Sequence, residues 1–390
     1  MRALAFLALA TVATAQPPPP GIGLSDSARV SLLTMLPGDE VYSLWGHNAL
    51  RIEDAAAGID RTYNYGSFTF EQPNFVLRFL SGRLDYFLDV GPYEREVRKY
   101  QFLERPIIEQ TLDLEAETAR ALYDLLETNA LPQNRTYRYD FLRDNCSTRL
   151  LDVLDDALEA TGQAPVSLPD PATSRTFRDM VRPYAAEHPL VDLGTMLGLG
   201  LPMDQEARPR EAVFLPDALM AALDGATVGD RPLVARRDTV FWIEGAGDLE
   251  DAFPWPATLA TILLVVGAGA TVSRPRGRPS RAWRWGDAAL LGATGGAGLI
   301  LLLLWVATDH YVTEANVELL WMWPTHLVAA VAFAKPSLAA VWQWYAWAAV
   351  AATAVTFALW MVWPEPMHIA LLPIGLLLSL RLAARARGEA

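Results

Sequence analysis

One cysteine stands among the 390 residues: Cys146, in Asp144-Asn145-Cys146-Ser147-Thr148. Beyond it Leu150, Leu151, Val153, Leu154 and Leu158 recur at helical spacing, so the spacing predicts a helix with the thiol in its first turn. Unpaired backbone N–H groups and the positive end of the helix dipole there favour the thiolate, the reactive form of cysteine. A thiol with no partner in its own chain makes no intramolecular disulfide. Two readings stay open: a small buried apolar residue, the commonest fate of a free cysteine, or a nucleophile. The polar company of Asp144, Asn145, Ser147, Thr148 and Arg149 favours the nucleophile.

Such a thiol needs a base and a group that orients the base. Of five histidines, His310, His326 and His368 lie in or beside strongly apolar runs, and His188 sits in Glu187-His188-Pro189 without a strand pattern. His47 remains, in Leu44-Trp45-Gly46-His47-Asn48-Ala49-Leu50-Arg51-Ile52, where a turn glycine precedes a short strand. Cysteine and histidine in such pairs are adjacent in space and not in sequence. Asn64, in Tyr63-Asn64-Tyr65-Gly66-Ser67-Phe68, is the candidate orienting group on the strand expected beside that of His47. It reads equally as a turn residue bonding its own backbone. Trp45, Tyr65, Asn145 and Ser147 flank these three positions and are candidate substrate contacts.

The elements that must position these residues read as a mixed α and β domain over residues 25–250. Short strands are expected at 30–35 and 50–52, an aromatic strand or hairpin at 61–70, and an alternating strand at 107–114. Residues 115–129 form an amphipathic helix with Ala119, Leu122, Leu125 and Leu126 on one face and acids in its first turn. A strand-like aromatic stretch, 137–142, leads into Cys146. From about 165 to 250 the chain is rich in Pro and Gly and carries no nameable motif.

Charge divides the chain in two. Residues 1–250 hold 23 Lys/Arg against 38 Asp/Glu, and residues 251–390 hold 9 against 7. So acidic a first part repels phosphate backbones and argues against a nucleic-acid partner. Disordered and disulfide-framework classes fail as well, because 52% of the residues are hydrophobic and only one is cysteine. The second part consists of apolar runs at 255–272, 288–308, 319–334, 338–360 and 368–382, read as five membrane crossings of about 20 residues each, the third and fifth short. Arg274, Arg276, Arg278, Arg281 and Arg284 follow the first run and Arg381, Arg385 and Arg387 the fifth, which puts both clusters in the cytoplasm. Trp255, Trp305, Tyr311, Trp321, Trp323, Trp360 and Trp363 at run ends fit interfacial belts. At the other end Met1-Arg2, an apolar run and Ala13-Thr14-Ala15 read as an export signal over residues 1–15. A spacer at 16–24 follows, with Pro17 to Pro20 held extended. Export and an odd number of spans agree on a domain outside the cytoplasm. The spans lack a paired set of intramembrane charges, which argues against a transporter.

Gly-His before a strand, an aromatic Tyr-Asn-Tyr-Gly segment and Asn-Cys-Ser opening a helix resemble the circularly permuted papain-like fold of the lecithin retinol acyltransferase relatives, in which histidine precedes cysteine. The whole arrangement is similar to the Lnb-type lipoprotein N-acyltransferases, which place such a periplasmic domain ahead of a multispan membrane domain. Asn316, Leu320, Trp321 and Pro324 also look similar to that family's membrane region, and His326 follows them. Ser147 stands where threonine is common. The resemblance implies an α+β permuted papain-like domain in the periplasm followed by an all-α five-helix membrane domain, multi-pass in a bacterial inner membrane. It implies Cys146 as nucleophile, His47 as base, and acyl transfer from a phospholipid donor to the α-amino group of a diacylated lipoprotein, with no metal or soluble cofactor. Asn316 and His326 join the candidate substrate contacts on the same footing. Two other readings use the same residues or none of them: a membrane-tethered cysteine peptidase or amidase of the cell envelope, and a non-enzymatic envelope protein.

Overall fold

The computed structural model describes residues 23–170, 174–245, 252–273, 280–360, 362 and 367–387. The expected export signal, the spacer as far as residue 22, Arg274, Arg276, Arg278 and Trp363 lie outside the described residues.

Seven antiparallel strands form the frame: β1 (Arg29–Met35), β2 (His47–Asp54), β3 (Ile59–Ser67), β4 (Asp85–Pro92), β5 (Ile107–Leu112), β6 (Thr136–Arg138) and β9 (Val234–Phe241). Two-residue strands β7 (Thr227–Val228) and β8 (Arg231–Pro232) make a separate hairpin. The sheet order is β6-β4-β3-β2-β1-β5-β9, so the strands that carry His47 and Asn64 are central neighbours.

Alternation assigns the faces. Leu50 and Ile52 of β2 and Tyr63 and Tyr65 of β3 face a core shared with Leu122, Leu126, Leu150 and Leu154. Those leucines come from α3 (Ala116–Ala130) and α4 (Thr148–Ala160). Ala49, Leu33 and Met35 face the other way, onto Tyr93, Val97 and Tyr100 of α2 (Tyr93–Phe102). A six-residue helix, α1 (Phe75–Leu80), lies between β3 and β4 and buries none of its residues.

The stretch from 165 to 245, silent as sequence, forms α5 (Phe177–Ala185), α6 (Pro189–Gly198), α7 (Pro209–Ala212), α8 (Pro216–Asp224) and the edge strand β9. Arg178, fully buried, holds this segment together: it pairs with Asp204 at 2.9 Å and donates to the carbonyls of Met196, Leu199 and Gly200. Strand β4 and helix α2 were likewise not anticipated. The aromatic stretch 137–142 is strand only over β6, after which turns lead into Cys146.

The apolar runs fold as α9 (Trp255–Val272), α10 (Arg281–Ala307), α11 (His326–Phe333), α12 (Ala340–Leu359) and α13 (Leu371–Ala386). Among the described residues α9 and α10 are long and apolar enough to cross a membrane. The run at 319–334 is not one helix: a 3-10 turn at Val317–Leu320 and the eight-residue α11 are separated at Pro324. Proline supplies no N–H and pushes the residue before it out of the helical region. Eight residues rise about 12 Å, so α11 cannot cross alone.

The sheet domain sits against one end of these helices. Beyond the C-terminus of α10, Asp309 pairs with Arg83 at 2.8 Å and its N–H donates to the Ser81 carbonyl at 2.9 Å. His368, just before α13, lies 3.1 Å from an Asp192 oxygen on α6. At the opposite end Arg381 of α13 pairs with Asp287 of α10 at 2.7 Å, both buried, so the helices do hold a paired charge, which the expected run beginning at 288 left out because α10 starts seven residues earlier.

Candidate active site

His47 opens β2 opposite Met35 on β1. The residue before it, Gly46, has φ +78°, and a Cβ there would lie 2.9 Å from the Met35 carbonyl oxygen, so the tight entry into the strand requires glycine. The imidazole Nε2 is 3.1 Å from Asn64 Oδ1. The Asn64 amide nitrogen donates to Thr62 Oγ1 at 3.4 Å, which turns the amide oxygen toward the ring. An oxygen acceptor at Nε2 requires the proton there and leaves Nδ1 as the basic nitrogen. Asn64 is therefore no turn residue: it is a buried strand residue that fixes the tautomer and angle of His47.

Cys146 is 6% exposed. Its sulfur accepts the backbone N–H of Asn48, the residue after His47, and the hydroxyl of Tyr139, with Ser147 Oγ 4.0 Å away. The Cys146 Cβ lies 3.5 Å from where a Cβ on Gly66 would stand, so the thiol approaches the ends of both β2 and β3. The regular helix α4 begins at Thr148, two residues later than the sequence places it. Its first i→i+4 bond nevertheless runs from Arg149 N–H to the Asn145 carbonyl, and Asn145 Oδ1 accepts the N–H groups of Ser147 at 2.7 Å and Thr148 at 3.0 Å. Asn145 is thus the hydrogen-bonding cap, and Cys146 follows it directly.

The charge states differ from the sequence expectation. Burial pushes the Cys146 thiol above its ordinary range, outweighing the donors from Asn48, Ser147 and Tyr139 that act in the opposite sense. His47 is lowered to about 3, first by burial, then by the positive charges of Lys99 and Arg105, against the opposing bond to Asn64. At neutral pH both the resting thiol and the imidazole are uncharged, and the depression makes His47 a weaker base than a free imidazole.

The other candidate residues are placed differently. Asn145 spends both acceptor sites on the cap and both amide hydrogens on the carbonyls of Phe141 and Phe214, each at 2.8 Å, so no donor is left for a substrate. Ser147, fully buried, accepts from Asn48 Nδ2 at 3.1 Å and ties α4 to β2. Tyr65 points into the core on the face away from Asn64, its hydroxyl held by Asn129 at 2.8 Å. Trp45 donates to the Val181 carbonyl at 3.3 Å and packs against the α5 segment. Asn316 donates to the Leu197 carbonyl at 2.7 Å, joining the membrane region to α6. His326 lies among the membrane helices, between the Tyr345 hydroxyl at 2.6 Å and the Trp321 carbonyl at 3.0 Å. Each of these six has a structural contact in place.

Asn48, Tyr139, Arg105 and Pro216 were missed. The Asn48 amide also donates to the Pro216 carbonyl at 3.1 Å, so α8 braces the strand of His47 from behind. Its signal was present: Asn48 shares strand parity with Leu50 and Ile52, and a polar residue on a core-facing position needs buried partners.

Gly66 supplies a direct check of this packing. At φ +86° a Cβ would meet Tyr139 Cε2 at 3.1 Å and Cys146 Cβ at 3.5 Å. Gly66→Ala is expected to destabilise the domain by about 1–2 kcal/mol through backbone strain alone, and to change the rate at which iodoacetamide alkylates Cys146. Thermal unfolding and alkylation kinetics measure the two effects.

Two family models match the chain: the Lnb N-terminal periplasmic domain over residues 24–180 and the Lnb transmembrane domain over residues 248–387. No curated protein and no solved structure matches it. The first model spans the strands of His47 and Asn64 and the cap of Cys146, and the second spans the helices described beyond residue 252. With both domains present in that order, the chain belongs to the Lnb family of membrane-associated, lipoprotein-modifying enzymes and has the architecture of the Lnb-type lipoprotein N-acyltransferases.

Proposed function

We infer that the chain is a thiol-dependent acyltransferase that moves a fatty acyl chain from a phospholipid to the α-amino group of the N-terminal cysteine of a diacylated lipoprotein. The observation that carries this reading is the His47–Asn64 bond on two neighbouring strands with the Cys146 thiol on the N–H of the residue after His47. Histidine, orienting amide and capped cysteine in this chain order support a permuted papain-like arrangement. The position of the sheet domain against one end of the helices, with the Arg381–Asp287 pair at the other, supports a multi-pass topology with the C-terminus in the cytoplasm.

In this mechanism Nδ1 of His47 takes the thiol proton as Cys146 attacks the ester carbonyl of the phospholipid. The C–O bond breaks, the proton passes from His47 to the departing lysophospholipid oxygen, and the acyl group stays on sulfur as a thioester. The acceptor amine then attacks that carbonyl, giving a proton to His47, and the thiol is restored as the amide forms. The N–H groups of Ser147 and Thr148 are consumed by the Asn145 cap. The oxyanion is assigned to the N–H groups of Cys146 and Asn48, which bond the resting sulfur and are released as the sulfur forms its bond to the acyl carbon.

Intact mass spectrometry tests the reading. Protein incubated with phospholipid should gain one acyl mass on Cys146 and lose it to a diacylated lipopeptide carrying a free amine. An amidase would instead pass the acyl group to water and ignore the lipopeptide. Asn64→Ala should lower kcat by about 10–100-fold with KM little changed, because only the orientation of the base is lost.

A further inference from the structure

An apolar surface beside the membrane end of the molecule is unexplained by the mechanism above. Phe70 and four residues of α1, Val76, Leu77, Phe79 and Leu80, are each 44–69% exposed. Isolated exposed apolar side chains are ordinary, but a contiguous patch on a helix that buries nothing is not. Its location identifies the occupant. Gly82, right after α1, packs on the backbone of Asp309 and His310, with a Cβ there 3.2 Å from the Asp309 carbonyl carbon. The His310 ring bonds the Phe79 carbonyl at 3.0 Å. Asp309 and His310 directly follow α10, one of the two helices fit to span a bilayer. The patch is thus continuous with the end of α10.

From this surface a row of rings runs inward. Phe75 of α1 lies 6.0 Å from Phe68, Phe68 lies 5.5 Å from Tyr86, and Tyr86 stacks on Tyr139 at 4.5 Å. The Tyr139 hydroxyl bonds the Cys146 sulfur. We propose that α1 with Phe70 sinks into the outer leaflet and that the row Phe75–Phe68–Tyr86–Tyr139 guides a lipid acyl chain from the bilayer to the thiol. The occupant is bilayer lipid, whose hydrocarbon matches apolar side chains lying in the interfacial plane. The guiding role rests on the acyl-transfer reading, whereas membrane entry of α1 does not.

The full-length protein in phospholipid nanodiscs tests both parts. With the native thiol removed by Cys146→Ala, a fluorophore placed through Leu77→Cys should be quenched by lipid spin-labelled on its acyl chain and not by iodide. The same dye at Glu94→Cys on α2 should show the reverse. Quenching of the Leu77 position by iodide overturns the proposal. In the otherwise native chain, Val76→Glu combined with Leu77→Glu should slow acyl-enzyme formation from vesicle phospholipid at least tenfold while the thermal midpoint is kept. A lipid-quenched probe with an unchanged acylation rate overturns the guiding role. If the native protein forms no acyl-enzyme at all, the acyl-transfer reading fails, and the depth measurement still decides whether α1 enters the leaflet.

Discussion

Cys146→Ala is expected to abolish the acyl adduct and reduce lipoprotein acylation to the uncatalysed background, and His47→Ala to lower the acylation rate constant by about 100- to 10,000-fold, the usual range for loss of a general base. Cysteine has no substitute in this site: the sulfur forms the thioester, and among the described residues no other cysteine exists to replace it. Histidine removal should be nearly as severe, because the thiol is buried and raised above its ordinary range. Without a neighbouring base almost none of it is thiolate at neutral pH. The two substitutions should not add, since nucleophile and base act as one unit. A double variant no slower than Cys146→Ala alone is the signature. Retained activity in a folded Cys146→Ala protein would remove covalent catalysis from consideration, whatever the substrate. Cys146→Ser separates chemistry from packing, because it keeps a donor and acceptor of similar size in the contacts to Asn48 and Tyr139.

The two residues behind this prediction stand out in the sequence because each has a signal that differs from bulk composition. Cys146 was the only thiol and had polar neighbours; His47 followed a glycine whose positive φ is now explained by the close Met35 carbonyl. Strands β1, β3 and β5 and helix α3 were legible from alternation and from one apolar helical face. What could not be read was long-range support. The Asn48 amide reaches Pro216, and the Asn145 amide reaches Phe214, contacts that span a stretch with no periodicity. Asn145, Ser147 and Tyr65 read as site residues because they adjoin the proposed catalytic positions, and alternation along β3 turns Tyr65 to the opposite face from Asn64 while the cap turns Asn145 inward. The membrane region shows the same limit. Apolar content marked the third run, but Pro324 decides that it cannot be one continuous helix.

The charge state of the pair gives the second large effect. His47 titrates at about 3 and must be neutral to act as base, so kcat/KM is expected to stay level as pH falls from 7 to 5. An imidazole with the ordinary value of about 6.5 would lose ~25-fold over the same interval. Stability has its own dependence, with the sign fixed by the same depression. The unfolded chain binds the His47 proton below about 6.5 and the folded chain only below about 3. The contribution of neutral His47 to stability is therefore complete above the unfolded value and is lost as pH falls between those limits. Unfolding must consequently be followed alongside rate, by near-UV circular dichroism at each pH. Removing one cause of the depression provides the control. Lys99, which pairs with Glu96 at 2.9 Å, lowers His47 by its charge. Lys99→Met should therefore move the acid limb upward while burial and Arg105 hold it below the ordinary imidazole range. An acid limb already at 6.5 in the native protein would mean that neither burial nor the charges of Lys99 and Arg105 depress the imidazole, which would then be about a quarter protonated at pH 7.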